Sequence, residues 1–141
     1  MRIAEVIEAS GHPKIRADHP TTLEITKETL VTQRGDCIIA ICASKGCVDL
    51  SPEFKKLMRN NETRATLTIE AGNRSATILG RGNGKLTFGH PNDLVARKSA
   101  YTCDRTIMVL ADKSASDLDR EFVKILRDPR MGIRVELVAE L

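Results

Sequence analysis

Across residues 66–80, apolar and polar side chains alternate on both sides of a Gly72-Asn73 pair. Leu67, Ile69 and Ala71 alternate with Thr66, Thr68 and Glu70, and beyond the turn Ala76 and Ile78 alternate with Ser75 and Thr77. A two-residue loop at Gly72-Asn73 pairs Ala71 with Arg74, Ile69 with Ala76 and Leu67 with Ile78, which gathers the apolar set on one face. Slipping the register by one residue would turn that set to water. The segment therefore specifies a β-hairpin in a single register, and the rest of the chain has to cover its apolar face.

The remaining pattern is also strand-like. Ile, Val and Thr make up 32 of the 141 residues, a composition that suits pleated, half-buried surfaces. Strands are predicted at 3–9, 21–26, 85–88, 94–97, 105–110 and 133–139. Residues 36–43 are apolar at both parities, which predicts a central strand covered on both sides. Ser51-Pro52-Glu53 reads as an N-cap with proline in the first turn, opening a helix to about residue 60. Ser114 reads as a second cap, and Leu118, Phe122, Ile125 and Leu126 recur at helical spacing before Asp128-Pro129. The predicted fold is mainly β with a minor α+β part: an antiparallel β-sandwich or barrel-like single domain over 1–141 with one or two short helices. A Gly-His-Pro triplet at Gly11-His12-Pro13 returns at Gly89-His90-Pro91, a weak sign of internal duplication.

Composition removes several function classes. The chain has no Trp, one Tyr (Tyr101) and three Phe (Phe54, Phe88, Phe122), so recognition of single strands by stacking on successive rings is excluded. Phe54 and Phe122 fall on core positions of the helices, leaving Phe88 and Tyr101 for a ligand surface. The longest apolar run, 37–43, is seven residues against about 20 for a spanning helix, and Glu5 and Glu8 interrupt any signal-peptide core. A cytoplasmic location without a membrane partner is expected, with the four cysteines as thiols. Cys37, Cys42 and Cys47 are spaced by fives and no CxxC pair exists, which argues against structural zinc. Cys37 and Cys42 sit in the most apolar run, a poor setting for a thiolate nucleophile.

The formal charge of +3 is local: residues 72–98 hold Arg74, Arg81, Lys85, Arg97 and Lys98 against Asp93 alone. Gly80-Arg81-Gly82-Asn83-Gly84-Lys85 lacks the residues of a P-loop and reads as a flexible hairpin tip with two basic side chains. Arg offers a planar fork for phosphate or carboxylate. Arg81, Lys85, Arg97, Lys98 and Arg105 thus form a candidate ligand-binding set for an anionic partner, either RNA or a phosphorylated small molecule. The alternative is a small enzyme in which His12, His19, Asp36 and His90 converge as acid/base groups or metal ligands beside an anionic substrate. As ordinary structure the histidines serve turn chemistry, and the Arg34-Gly35-Asp36 tripeptide reads as a turn entering a buried strand. A homodimer through edge strands is a third possibility. The sequence names no cofactor and no metal.

Taken in order, Gly11 to His19, Thr21 to Thr26, Gly35-Asp36-Cys37-Ile38-Ile39, Asp49-Leu50, His90-Pro91, Arg97-Lys98-Ser99, Asp104-Arg105-Thr106 and Lys113 to Arg120 resemble the archaeal domain-of-unknown-function family 371 over nearly the whole chain. The resemblance implies a compact β-rich sandwich in an archaeal cytoplasmic protein. It implies no activity, substrate or catalytic residue. A hyperthermophilic source would make intracellular disulfides admissible.

Overall fold

A computed structural model of the chain describes residues 1–32 and 35–141. Strands β1 (Arg2–Ser10), β2 (Thr22–Thr26) and β3 (Ile38–Ala40) are followed by a 3-10 turn (Cys47–Asp49), helix α1 (Pro52–Met58) and β4 (Arg64–Ala71). The same order then returns: β5 (Arg74–Arg81), β6 (Asp93–Arg97), β7 (Thr106–Met108), a 3-10 turn (Ala115–Asp117), α2 (Arg120–Leu126) and β8 (Gly132–Glu140). The strands form two four-stranded sheets, sheet A in the order β1-β8-β4-β5 and sheet B in the order β3-β2-β6-β7. The fold is thus mostly β with two helices, and the sheets do not close into a barrel. Single bridges, Ser10 to Ile41 and Arg81 to Val109, tie the sheets together at two corners.

The hairpin forms in the register its alternation specifies, with Leu67 opposite Ile78, Ile69 opposite Ala76 and Ala71 opposite Arg74, and Gly72 takes φ +63° in the turn. Its apolar face meets Leu23, Ile25, Leu94 and Ala96 of sheet B in one continuous core, with Phe54 and Phe122 filling in from the helices. Each such Leu, Ile or Phe contributes about 1.5–3 kcal/mol by leaving water.

The two halves interlock. β1 pairs with β8, β4 with β8, and β2 with β6, so both sheets are built across the halves. Hydrogen bonds repeat as well. The Nε of Arg127 donates to the Ile15 carbonyl at 2.8 Å, as that of Arg59 does to Leu86 at 2.9 Å. Lys27 pairs with Asp49, as Lys98 does with Asp117. Left-handed backbone recurs at Ala17 and Phe88 and at Cys42 and Leu110.

Several expectations need correction. Residues 85–88 are not a strand: Leu86 and Phe88 are buried in a loop, and Phe88 packs edge-on against Phe54 at 6.4 Å between ring centroids, so it is core and not ligand surface. Strand β3 lies at the edge of sheet B. It is buried on both faces because α2 packs near it and the adjoining Ile41 bridges to Ser10. It pairs with β2 in parallel, as β7 does with β6. Ser114 caps the 3-10 turn, whereas α2 begins at an Asp119 cap. The 80–85 segment is no hairpin tip. Gly82 donates to the Thr63 carbonyl and Asn83 to that of Met58, which seats the loop on the end of α1. Cys42, placed in an apolar run by sequence, is exposed. Arg34 lies outside the described residues.

The seating of this loop can be tested. A Cβ on Gly82 would collide with the backbone carbonyl oxygens of Met58 and Asn60, whereas one on Gly84 would find its nearest neighbour at 3.6 Å. Gly82→Ala is expected to lower the unfolding free energy by about 1–3 kcal/mol in urea titrations, while Gly84→Ala changes it by no more than about 0.5 kcal/mol.

Candidate functional site

Alternation in sheet A sends Ile7, Leu67 and Val135 to the core and the intervening residues to the opposite face. The pairing register then aligns Arg2, Glu140, Arg64 and Arg81 in one row across β1, β8, β4 and β5. Ala4, Val138, Thr66 and Leu79 form the next row. Glu140 is shared by Arg2 at 3.8 Å and Arg64 at 3.4 Å, and both arginine side chains remain largely exposed. Arg81 reaches the Glu62 carbonyl at 3.5 Å. Leu110 and Asp112 complete the wall, with Asp112 fixed by the Leu79 amide at 2.9 Å. The result is an open groove of about 750 Å³. Neighbouring strands lie about 4.8 Å apart, so Arg64 and Arg81 stand side by side while Arg2 is two strands away from Arg64.

Of the five predicted anion-binding residues, only Arg81 lines this groove. Lys98 is held by Asp117 at 2.6 Å, and Arg105 lies between Asp93 at 2.9 Å and Glu24 at 3.4 Å. Arg97 bonds Thr106 Oγ1 at 2.9 Å and Cys103 Sγ at 3.3 Å, with its guanidinium 4.9 Å from the Tyr101 ring centre. Lys85 is exposed on the loop after β5. The basic run in the sequence is therefore divided among ion pairs and faces.

The histidines do not converge. His19 precedes β2 and His90 precedes β6. These strands are antiparallel, with Thr22 opposite Arg97 and Thr26 opposite Asp93, so the two rings lie at opposite ends of a strand pair about 13 Å long. Asp36 sits beside His19, its carbonyl accepting from the Asp18 and His19 amides, and His12 donates its own amide to the Leu126 carbonyl. Each Nδ1 accepts a backbone N–H: Lys14 for His12, Thr22 for His19 and Asp93 for His90. The hydrogen-bond network thus assigns the neutral tautomer protonated at Nε2. His90 and His19 make the same turn, although the sequence echo matched His90 with His12. Asn83 makes the His12 bond in the other half through its Oδ1 to the Lys85 amide. Among the described residues no three of His, Cys, Asp and Glu gather as a metal site would require.

Sequence reading missed a second polar feature. Glu24 and Asp93 are both buried on sheet B and meet Nη1 of Arg105. Thr26 donates to Asp93 at 2.8 Å, and His90 Nε2 lies 3.6 Å from it. Burial pushes the Glu24 carboxyl up to about 7, the Asp93 charge adding to the rise and Arg105 opposing it. Burial likewise pushes the Cys37 thiol up to about 11, with the charge of Glu24 adding to it, and raises Cys47 further. At Cys103 burial is outweighed by bonds from the Arg105 amide, Thr106 and Arg97, and the thiol is lowered. The available signal was a lone acid in an otherwise uncharged strand, between Leu23 and Ile25.

This two-sheet α+β fold, with an arginine-lined groove and a buried carboxylate pair, belongs to a family described as a domain of unknown function, DUF371, whose family model matches residues 7–140. A relative from an archaeon, the uncharacterized protein MJ0206 of Methanocaldococcus jannaschii, is 47% identical over 123 residues, covering 87% of this chain and 90% of the relative. No helix among the described residues is long and apolar enough to cross a membrane.

Two outcomes follow from the sheet B groups. The Glu24 carboxyl titrates at about 7 when folded against 4.5 for its ordinary value, so the folded state holds this proton more tightly. Its contribution is fully present below pH 4.5 and is lost as pH rises to about 7. Relative to wild type, Glu24→Gln should gain stability across that window, on the order of 3 kcal/mol by the top of it, read from paired urea titrations. No relative gain would overturn the assignment. In timed iodoacetamide labelling read by mass spectrometry, Cys103 should be modified well before Cys37 and Cys47.

Proposed function

We propose that the chain binds a phosphorylated small molecule in the groove of sheet A. The row of Arg2, Arg64 and Arg81 supports this reading: Glu140 is the one carboxylate within the row, and of the other two acids lining the groove Glu136 is paired with Arg134 and Asp112 accepts from the Leu79 amide. Two guanidiniums share one acid there, and their forks suit phosphate oxygens. Val138, Leu79 and Leu110 offer an apolar floor for the rest of such a molecule, and Thr66 and Thr68 offer hydroxyls. A groove of about 750 Å³ falls within the usual size of small-molecule sites. RNA is the second form an anionic partner could take. None of the described residues lining the groove is aromatic, so RNA would be held through its phosphates and with steep salt dependence.

Calorimetric titration with inorganic pyrophosphate and with ADP tests this reading. Each of Arg64→Ala and Arg81→Ala should weaken binding by about tenfold, the loss of one hydrogen bond to a charged group. Glu140→Gln should tighten binding by removing the carboxylate that competes for Arg2 and Arg64. Binding unaltered by either arginine substitution would overturn the groove. Binding of a short single-stranded RNA without binding of pyrophosphate or ADP would move the reading to the second form.

A further inference from the structure

A smaller cavity of about 440 Å³, sharing no lining residue with the groove, is lined by Pro13, Lys14, Ile15, Arg16, Val31, Thr32 and Arg127. Among the described lining residues three are cations and none is a carboxylate. Ile15 and Val31 give it a buried apolar floor. Arg16 pairs with Asp18 at 3.2 Å, and Arg127 is anchored through Nε on the Ile15 carbonyl.

The other half of the chain shows what is special here. Lys85, Leu86 and Arg59 stand where Lys14, Ile15 and Arg127 do, with the same bond from arginine to loop carbonyl. There, however, the Arg59 guanidinium lies 5.7 Å from the Phe88 ring centre and reaches the Thr87 carbonyl. Ala17 takes the place of Phe88, and both have left-handed backbone. The connection from β2 to β3 is also three residues longer than that from β6 to β7. It supplies Val31 and Thr32 to the cavity wall. A ring-to-methyl exchange and a longer loop thus leave room beside a cationic rim in this half.

We propose that this cavity is a binding site for a small amphipathic anion, a phosphate or carboxylate carrying a short alkyl or similarly apolar body. The head meets Lys14 and Arg127 and the body lies on Pro13, Ile15 and Val31. Neither a bare anion nor a neutral alkyl chain satisfies both parts.

Octyl phosphate and octanoate, titrated against the full chain by amide NMR, are the probes, with inorganic phosphate and octanol as controls. Octyl phosphate or octanoate should bind at least tenfold more tightly than either control, shifting amides near Ile15, Val31 and Arg127. Lys14→Glu, at an exposed position, should weaken it about tenfold with unchanged dispersion of the spectrum. Arg81→Ala should leave it unaltered, which separates this site from the groove. Equal binding by octanol and the anionic probes, binding unaltered in Lys14→Glu, or shifts confined to sheet A would each overturn the proposal.

Discussion

Pairing between halves is the constraint on which the rest depends. β2 finds its antiparallel partner in β6, and β8 lies between β1 and β4. Glu24 pairs with Val95 and Thr68 with Glu136, and each pair joins equivalent positions of the two halves, so an approximate two-fold relation runs through both sheets. Neither half has a complete sheet without the other. The core is consequently shared, and long-range contacts must form before any sheet is buried on its inner face.

The near two-fold relation separates structural from special residues. Lysine–aspartate pairs, arginine-to-carbonyl bonds and histidine or asparagine turn locks occur twice, once in each half. Where the halves differ, the difference carries chemistry: Glu24 faces Val95 across the strand pair, Asp93 stands where the other half has Thr22, and Phe88 stands where it has Ala17. Burying Glu24 beside Asp93 is costly unless a counter-charge is near, and Arg105 offsets only part of that cost, leaving the Glu24 carboxyl raised.

The hairpin was legible because its information is local: side-chain parity and a glycine turn decide it together. The α1 cap was legible for the same reason, with Ser51 accepting from the Phe54 amide. The edge place of β3 and its parallel pairing were not, because a run apolar at both parities reports two covered faces without saying what covers them. Residues 85–88 alternate like a strand, yet the loop bonds to α1 claim that backbone. Of the arginines in the groove row, the sequence singles out Arg81 and neither of its row partners. Arg2 and Arg64 look like ordinary polar positions until strands distant in sequence place them on either side of Glu140.

The sequence by itself determined that the chain is mainly β, where its turns and one helix begin, which residues are apolar enough to form a core, and which family it resembles. These follow from short-range patterns in which each residue constrains its near neighbours. Tertiary structure alone decided which charges are spent and which line a cavity. Lys98 is held by Asp117 and Arg105 by Glu24 and Asp93, while Arg2, Arg64 and Arg81 meet in a groove. A charge's availability depends on what lies within a few ångströms of it, and in a fold of interlocked halves those neighbours come from far along the chain.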